Sequence, residues 1–123
     1  MITGAGESAL ASDLNALRKA IDLFHVEHGM RYPPLIKFAA AMTQCSDATG
    51  TKFGGRDAAE GLIYGPYLRA MPPLPVGANA GKQTVVGTAG DDGGWVYNPM
   101  TGMIRANRKP TEVDSRGLKY ADY

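Results

Sequence analysis

The sequence predicts an α+β fold in which one long N-terminal helix packs on a small three-stranded antiparallel sheet. A regular apolar stripe runs through residues 8–28, and short β-branched or aromatic segments appear only late in the chain. The sixteen glycines and eight prolines concentrate after residue 28, which predicts a loop-rich second part. A chain of 123 residues is enough for one domain, so residues 1–123 are interpreted as a single unit.

Residues 8–28 are predicted to form one helix because apolar side chains recur at spacings of four and three. At about 100° per residue the stripe occupies about 80° of arc, and neither glycine nor proline interrupts it. Gly29 can adopt the left-handed conformation that ends a helix. Pro33 and Pro34 then prevent the helix from continuing. The core face is expected to consist of Leu10, Leu14, Leu17, Ile21 and Phe24, with His28 at its end.

One flank of this helix is a candidate surface for assembly. Ala9, Ala16, Ala20 and Leu23 lie roughly 80–140° from the centre of the apolar stripe. Small side chains would let another helix approach closely, and Leu23 has no obvious partner within the chain. The alternative is that these residues only widen the core face.

Residues 29–80 are predicted to be an irregular mixture of helix and extended chain. Residues 35–44 are interpreted as a short second helix, because Pro34 suits a first helical turn. Residues 46–60 are polar and Gly-rich and are interpreted as a loop. Three prolines within residues 72–75 impose an extended path.

The antiparallel sheet is placed within residues 81–107, and residues 108–123 form a polar tail. A turn at Pro99 that closes with positive φ at Gly102 would join the last two strands as a hairpin. Alternation puts Trp95 and Tyr97 on one face, where they either cover the packed helix or form a ligand platform. The strands are expected at residues 83–86, 94–97 and 102–106.

The composition excludes several classes of function. Thirteen basic residues balance twelve acidic ones without a like-charged block, so no nucleic-acid surface is predicted. No apolar run approaches the roughly 18 residues that span a bilayer, and the first residues lack the pattern of a secretory signal. Cys45 is the only cysteine, so no internal disulfide is expected and the compartment stays undecided.

Neither a metal centre nor a catalytic constellation is predicted, and we expect no enzyme. His25 and His28 lie three residues apart and can reach one metal ion, but no third ligand is near in sequence. We expect His28 to bond carbonyls at the helix end instead. Cys45 lacks the motif of a nucleophile and is expected to be a buried, inert thiol.

Two acidic segments leave calcium open as a ligand. Asp91 and Asp92 lie in a Gly-rich stretch, and Asp114, Ser115 and Asp122 lie in the tail. Hard oxygen ligands of this kind suit calcium. The regular spacing of calcium loops is missing in both segments, so a tight turn is the preferred interpretation of the first.

Three segments together resemble the type IV pilin-like proteins, in particular the major pseudopilins of type II secretion. The first is the helix pattern from Leu14 that runs into a glycine and a Tyr-Pro pair. The second resembles the family's "GPYL" segment with a following proline, and the third resembles its closing hairpin. The matching residues are 8–34, with Gly29 and Tyr32-Pro33; Gly65-Pro66-Tyr67-Leu68 with Met71-Pro72; and Gly94-Trp95-Val96-Tyr97-Asn98-Pro99 with residues 101–107.

The resemblance implies a structural subunit of a pilus-like fibre or pseudopilus used in type II-like secretion. It implies a periplasmic head, anchored in the inner membrane by an apolar N-terminal helix that these 123 residues lack, until it polymerises. Its partners would be other pilin or pseudopilin subunits. The family's calcium-binding loop is only loosely matched by residues 113–117, so no metal ligands are carried over. The alternative is a periplasmic ligand- or calcium-binding module that uses the aromatic sheet.

Overall fold

The computed structural model describes residues 5–109 and 111–123 and has the predicted α+β class. Its strands form two small sheets, one of two strands and one of three. The elements in chain order are α1 (Ala5–Glu27), α2 (Phe38–Thr43), β1 (Cys45–Ser46), β2 (Phe53–Gly54), β3 (Val85–Val86), β4 (Trp95–Asn98), β5 (Met103–Ala106) and a 3₁₀ turn (Tyr120–Asp122).

α1 is one uninterrupted helix that ends by a glycine cap. Gly29 has a φ of 65°, and the N–H of Met30 donates to the carbonyl of His25 at 2.8 Å. This bond, from the third residue after α1 to the third-last residue of the helix, is the main bond of the Schellman motif. Within the described residues, neither α1 nor another helix is long and apolar enough to cross a bilayer.

The prediction of one three-stranded antiparallel sheet is wrong. β4 pairs with β5 in antiparallel fashion, but β3 pairs with β4 in parallel, with Val85 opposite Trp95. The cause is the route of the loop at residues 87–94. The carbonyl of Thr84 accepts from the N–H groups of Gly94 (2.8 Å) and Trp95 (3.2 Å). The loop therefore returns to the start of β3, and both strands run in the same direction.

The β4–β5 hairpin closes as the sequence predicts. The carbonyl of Asn98 accepts from the N–H groups of Thr101 (3.3 Å) and Gly102 (2.8 Å). Gly102 has a φ of 75°, and a Cβ atom there would overlap the ring of Tyr32. Glycine is therefore required both by the turn and by the aromatic ring packed on it.

A second sheet lies in the polar segment that was predicted to be a loop. β1 and β2 pair antiparallel, and Ser46 also bridges Tyr64 through backbone bonds of 2.8 and 3.1 Å. The carboxylate of Asp47 accepts from two backbone amides in the turn between the strands. α2 is shorter than predicted, beginning at Phe38 rather than Leu35, because residues 35–37 form a turn.

The core lies between α1, α2 and the β4–β5 hairpin. Trp95 and Tyr97 are 0% and 1% exposed and belong to the same apolar core as the helix. Trp95 Nε1 donates to the carbonyl of Pro72, and the Tyr97 hydroxyl donates to the carbonyl of Pro33, both at 2.8 Å. Buried aromatic side chains usually satisfy their polar atom in this way. These two aromatics therefore cover the helix and are not available as a ligand platform.

Candidate functional site

The inner face of α1 is buried along its length. Its five predicted core residues are each at most 1% exposed, and they share one core with Ile104 and Ala106 of β5. Removing such side chains from water is the main favourable contribution to folding. This face therefore belongs to the core of the domain. The five residues are Leu10, Leu14, Leu17, Ile21 and Phe24.

The predicted assembly flank does not form one uniform surface. Ala16 is exposed and Leu23 is 54% exposed, whereas Ala9 is half-buried and Ala20 is only 2% exposed. Ala20 lies about 80° from the centre of the apolar stripe, and the core extends that far around the helix. Ala20 therefore belongs to the core and not to the flank.

The exposed side of α1 carries a second row of residues, spaced alternately by three and four. At about 100° per residue the six positions span only about 100° of arc. Leu23 and Val26 supply its apolar end, and Val26 is 69% exposed. Alternating spacings of three and four are the pattern by which one helix packs along another. We call this row, Ala9, Ser12, Ala16, Lys19, Leu23 and Val26, the outer seam of α1.

Val26 is the member of the outer seam that sequence reasoning missed. The predicted flank consisted of three alanines and Leu23, and Val26 lies outside the arc that they cover. Its position three residues after Leu23 is the signal that could have found it. With Leu23, Lys19 and Asp22 it lines a shallow, mostly apolar hollow on the helix surface.

The two histidines do not converge on a common point. His28 is 1% exposed, and both its ring nitrogens have partners: Nδ1 lies 2.6 Å from the carbonyl oxygen of Phe24, and Nε2 lies 2.8 Å from Ser46 Oγ. A carbonyl can only accept, so Nδ1 carries a proton, and in the neutral imidazole Nε2 accepts from the Ser46 hydroxyl. The ring of His25 instead stacks on Tyr32, with centroids 4.0 Å apart. The His28 bonds fasten the end of α1 to β1.

Neither hydroxyl nor thiol in this region is placed as a nucleophile. Ser46 is 0% exposed, so a substrate could not reach its hydroxyl although a histidine is bonded to it. Cys45 is 6% exposed, and its Sγ lies 3.7 Å from the carbonyl oxygen of Gly65. The pair His28–Ser46 also lacks a carboxylate behind the imidazole, which hydrolytic triads use to orient it.

The Gly-rich loop at residues 87–94 is organised by protein donors. Asn107, which is 0% exposed, donates to the carbonyls of Asp92 and Gly93 at 2.6 and 2.9 Å. The ammonium of Lys82 donates to the carbonyl of Asp91. These carbonyl oxygens, which a hard cation would use as ligands, are therefore already engaged, while the side chains of Asp91 and Asp92 are exposed.

The tail contains a buried carboxylate with a complete set of donors. Asp114 is 5% exposed and accepts from the hydroxyl of Tyr123 (2.6 Å), the guanidinium of Arg116 (3.0 Å) and the N–H groups of Arg116 and Leu118. The Tyr123 hydrogen bond, more than any other contact, holds the pKa of Asp114 well below its usual range. Arg116 thus supplies the positive charge that a metal ion would bring. Among the described residues, no three His, Cys, Asp or Glu side chains are grouped as metal ligands.

Comparisons of the chain with protein-family models, with curated proteins and with solved structures find no significant match.

Proposed function

We propose that this chain is the head of a pilin-like structural subunit, a pseudopilin of the type II secretion kind, that polymerises through the outer seam of α1. The observation that carries the proposal is the division of α1 into two faces. One face is buried in the core of the head. The other face has the alternating three-and-four spacing by which helices pack together, and it exposes the apolar residues Leu23 and Val26. Exposed apolar groups on a helix with this spacing are suited to a neighbouring helix.

The segments that resemble the pseudopilin family also connect the main elements of the head to one another, which supports the proposal. The N–H groups of Tyr67 and Leu68 both donate to the carbonyl of Met42, at 2.8 and 2.9 Å. The "GPYL" segment therefore fastens the end of α2. The third resembling segment is the β4–β5 hairpin, which covers the inner face of α1.

In the proposed fibre, α1 packs beside the same helix of neighbouring subunits. Ala9, Ser12 and Ala16 are small enough to let helix axes approach to about 8 Å. Leu23 and Val26 then add apolar contact area towards the end of the helix. An apolar segment that precedes α1 would hold the periplasmic head at the inner membrane before polymerisation, as the resemblance implies.

The alternative, a periplasmic ligand- or calcium-binding module, draws less support. Its aromatic platform would need Trp95 and Tyr97 at the surface, but both are buried. In the two acidic segments, Lys82 and Arg116 already supply the positive charge that a bound calcium ion would bring. No contact in the described residues favours this function over assembly.

Cross-linking in the complete gene product tests the proposal. In a Cys45→Ser background, Ala16→Cys with Leu23→Cys places two thiols on the outer seam, and a short bis-maleimide joins neighbouring subunits. The matched control is Ala48→Cys with Ala59→Cys, two exposed alanines outside α1. We expect a ladder of covalent multimers from the seam thiols and far less from the control. Equal ladders from both variants, or none from the seam, would contradict assembly through α1.

A further inference from the structure

A groove of about 570 Å³ lies between α2 and β3. Its walls are mainly apolar, with Phe38 and Met71 buried at its sides and Ile36 94% exposed at its rim. Arg69 is the only charged residue that lines it, and its side chain is exposed. No residue of α1 contributes to the lining, so this surface is separate from the outer seam.

β3 presents a free edge to this groove. With Val85 opposite Trp95, the parallel ladder to β4 uses the N–H and C=O groups of Val86 and the C=O group of Thr84. The N–H and C=O groups of Val85 therefore point to the other edge. β3 is the terminal strand of its sheet, and none of the described strands pairs with that edge.

The chain itself packs against the residues that precede β3. The N–H of Leu74 donates to the carbonyl of Lys82 at 2.9 Å, and the side chain of Gln83 donates to the carbonyl of Met71 at 2.9 Å. The segment at residues 71–74 thus runs beside the residues that precede β3.

We infer that this groove binds an extended peptide segment that adds to β3 as a further strand. In such strand addition, main-chain bonds provide affinity and pockets for alternate side chains provide specificity. Val85 supplies the main-chain groups, and the apolar walls at Ile36 and Met71 accept alternate apolar side chains. Arg69 has no carboxylate partner among the described residues and no acidic neighbour in the lining. The peptide therefore carries a carboxylate beside its apolar residues.

The first experiment uses an acetylated, amidated pentapeptide with valine at alternate positions and one glutamate. Titrated into the chain, it should shift the amide NMR signals of Val85 and Ile36 in a saturable way. The same peptide with N-methylated valines lacks the N–H donors for the main-chain bonds, and its affinity should fall about tenfold or more. Equal binding of the N-methylated peptide, or no binding of either peptide, would overturn the proposal.

Exposed-site variants test the two kinds of contact. Arg69→Glu should lower the affinity for the glutamate peptide about tenfold and raise the affinity for the peptide in which lysine replaces the glutamate. Arg56→Glu, the control, should change neither affinity.

Ile36→Asp should abolish binding of the peptide. Its control is Met100→Asp, at an apolar side chain that is 85% exposed on the β4–β5 turn. Identical effects of test and control variants would overturn the proposal. Self-association of the chain that Ile36→Asp removes would assign the groove to a second copy and would also overturn it.

Because the lining contains no α1 residue, failure here leaves the cross-linking result on the outer seam unaffected.

Discussion

The contact between α1 and the β4–β5 hairpin and the organisation of the C-terminal loops depend on different chemistry. The helix and hairpin meet through side chains such as Leu17 and Trp95, which are completely buried and apolar except for one satisfied N–H. The loop at residues 87–94 and the tail are instead built around Asn107 and Asp114, which are 0% and 5% exposed. Apolar burial is non-directional, whereas a buried polar group is stabilising only when all its partners are in place. Substitutions in the first region should therefore destabilise the whole fold, whereas substitutions in the second should loosen only the segment around them.

The largest expected effect is the loss of one side chain from the apolar region. Leu17→Ala should lower the free energy of unfolding by about 2–5 kcal/mol, because Leu17 is 0% exposed and truncation leaves a cavity. Leu23→Ala on the opposite side of the same helix should cost less than about 1 kcal/mol. Chemical denaturation of both variants checks this. Similar losses for the two leucines would show that α1 does not have one buried and one open face.

A smaller and more local effect is expected in the polar region. Asn107→Ala removes the donors to the carbonyls of Asp92 and Gly93 and the acceptor for the N–H of Gly90. Unsatisfied buried groups cost about 1–3 kcal/mol. Hydrogen exchange should accelerate in residues 87–94 while α1 keeps its protection. Uniform acceleration across the chain would mean that the loop and the core form one cooperative unit.

Acid should first weaken the β1–β2 turn, which contains Asp47, and the tail, which contains Asp114. Burial raises the pKa of Asp47, but hydrogen bonds from Thr51, Lys52 and Thr49 together outweigh it and lower that pKa to about 2. The pKa of Asp114 is also lowered. Both carboxylates bind protons more readily when unfolded, where the pKa is about 3.9. Their contribution is therefore present above about pH 4 and is lost as the pH falls towards 2.

Melting temperatures measured between pH 7 and pH 2 check the acid prediction. Asp114→Asn should flatten the decrease at low pH, whereas Asp91→Asn, at an exposed carboxylate, should leave it as in the unchanged chain. A decrease that both variants retain equally would show that Asp114 is not responsible for it.

The part of the fold that could be predicted from sequence is the part that depends on apolar periodicity. The stripe through Leu14 and Ile21 predicted α1 to within a few residues, and the Pro99–Gly102 turn predicted the hairpin. The direction of β3 could not be predicted, since parallel neighbours usually need a dozen or more connecting residues. Here the shorter loop returns to Thr84 because distant polar side chains hold it, and no local pattern encodes them.

The residues of the candidate site also fall into those that apolar periodicity predicts and those that it does not. Exposure of Leu23 followed from its place off the stripe, but the burial of Ala20 did not, since a small residue at the edge of a stripe fits either environment. Ser46 was assigned to a loop because residues 46–60 are polar and Gly-rich, and a strand of two residues shows no alternation that would indicate otherwise. Its bond to His28 joins residues eighteen positions apart, which sequence spacing alone could not reveal.

The central claim is that α1 keeps one face for its own core and one for neighbouring subunits, and Ala16→Glu tests it most directly. Filament yield is measured for the protein with the apolar N-terminal segment that the proposal requires, together with a melting curve of these 123 residues. Ala20→Glu is the matched control, because it would place an unpaired carboxylate in the core, where Ala20 is 2% exposed. The account predicts that Ala16→Glu leaves the head as stable as before, within about 0.5 kcal/mol, and abolishes filaments, while Ala20→Glu destabilises the head itself. A stable Ala16→Glu head that forms filaments at the normal yield would contradict assembly through the outer seam.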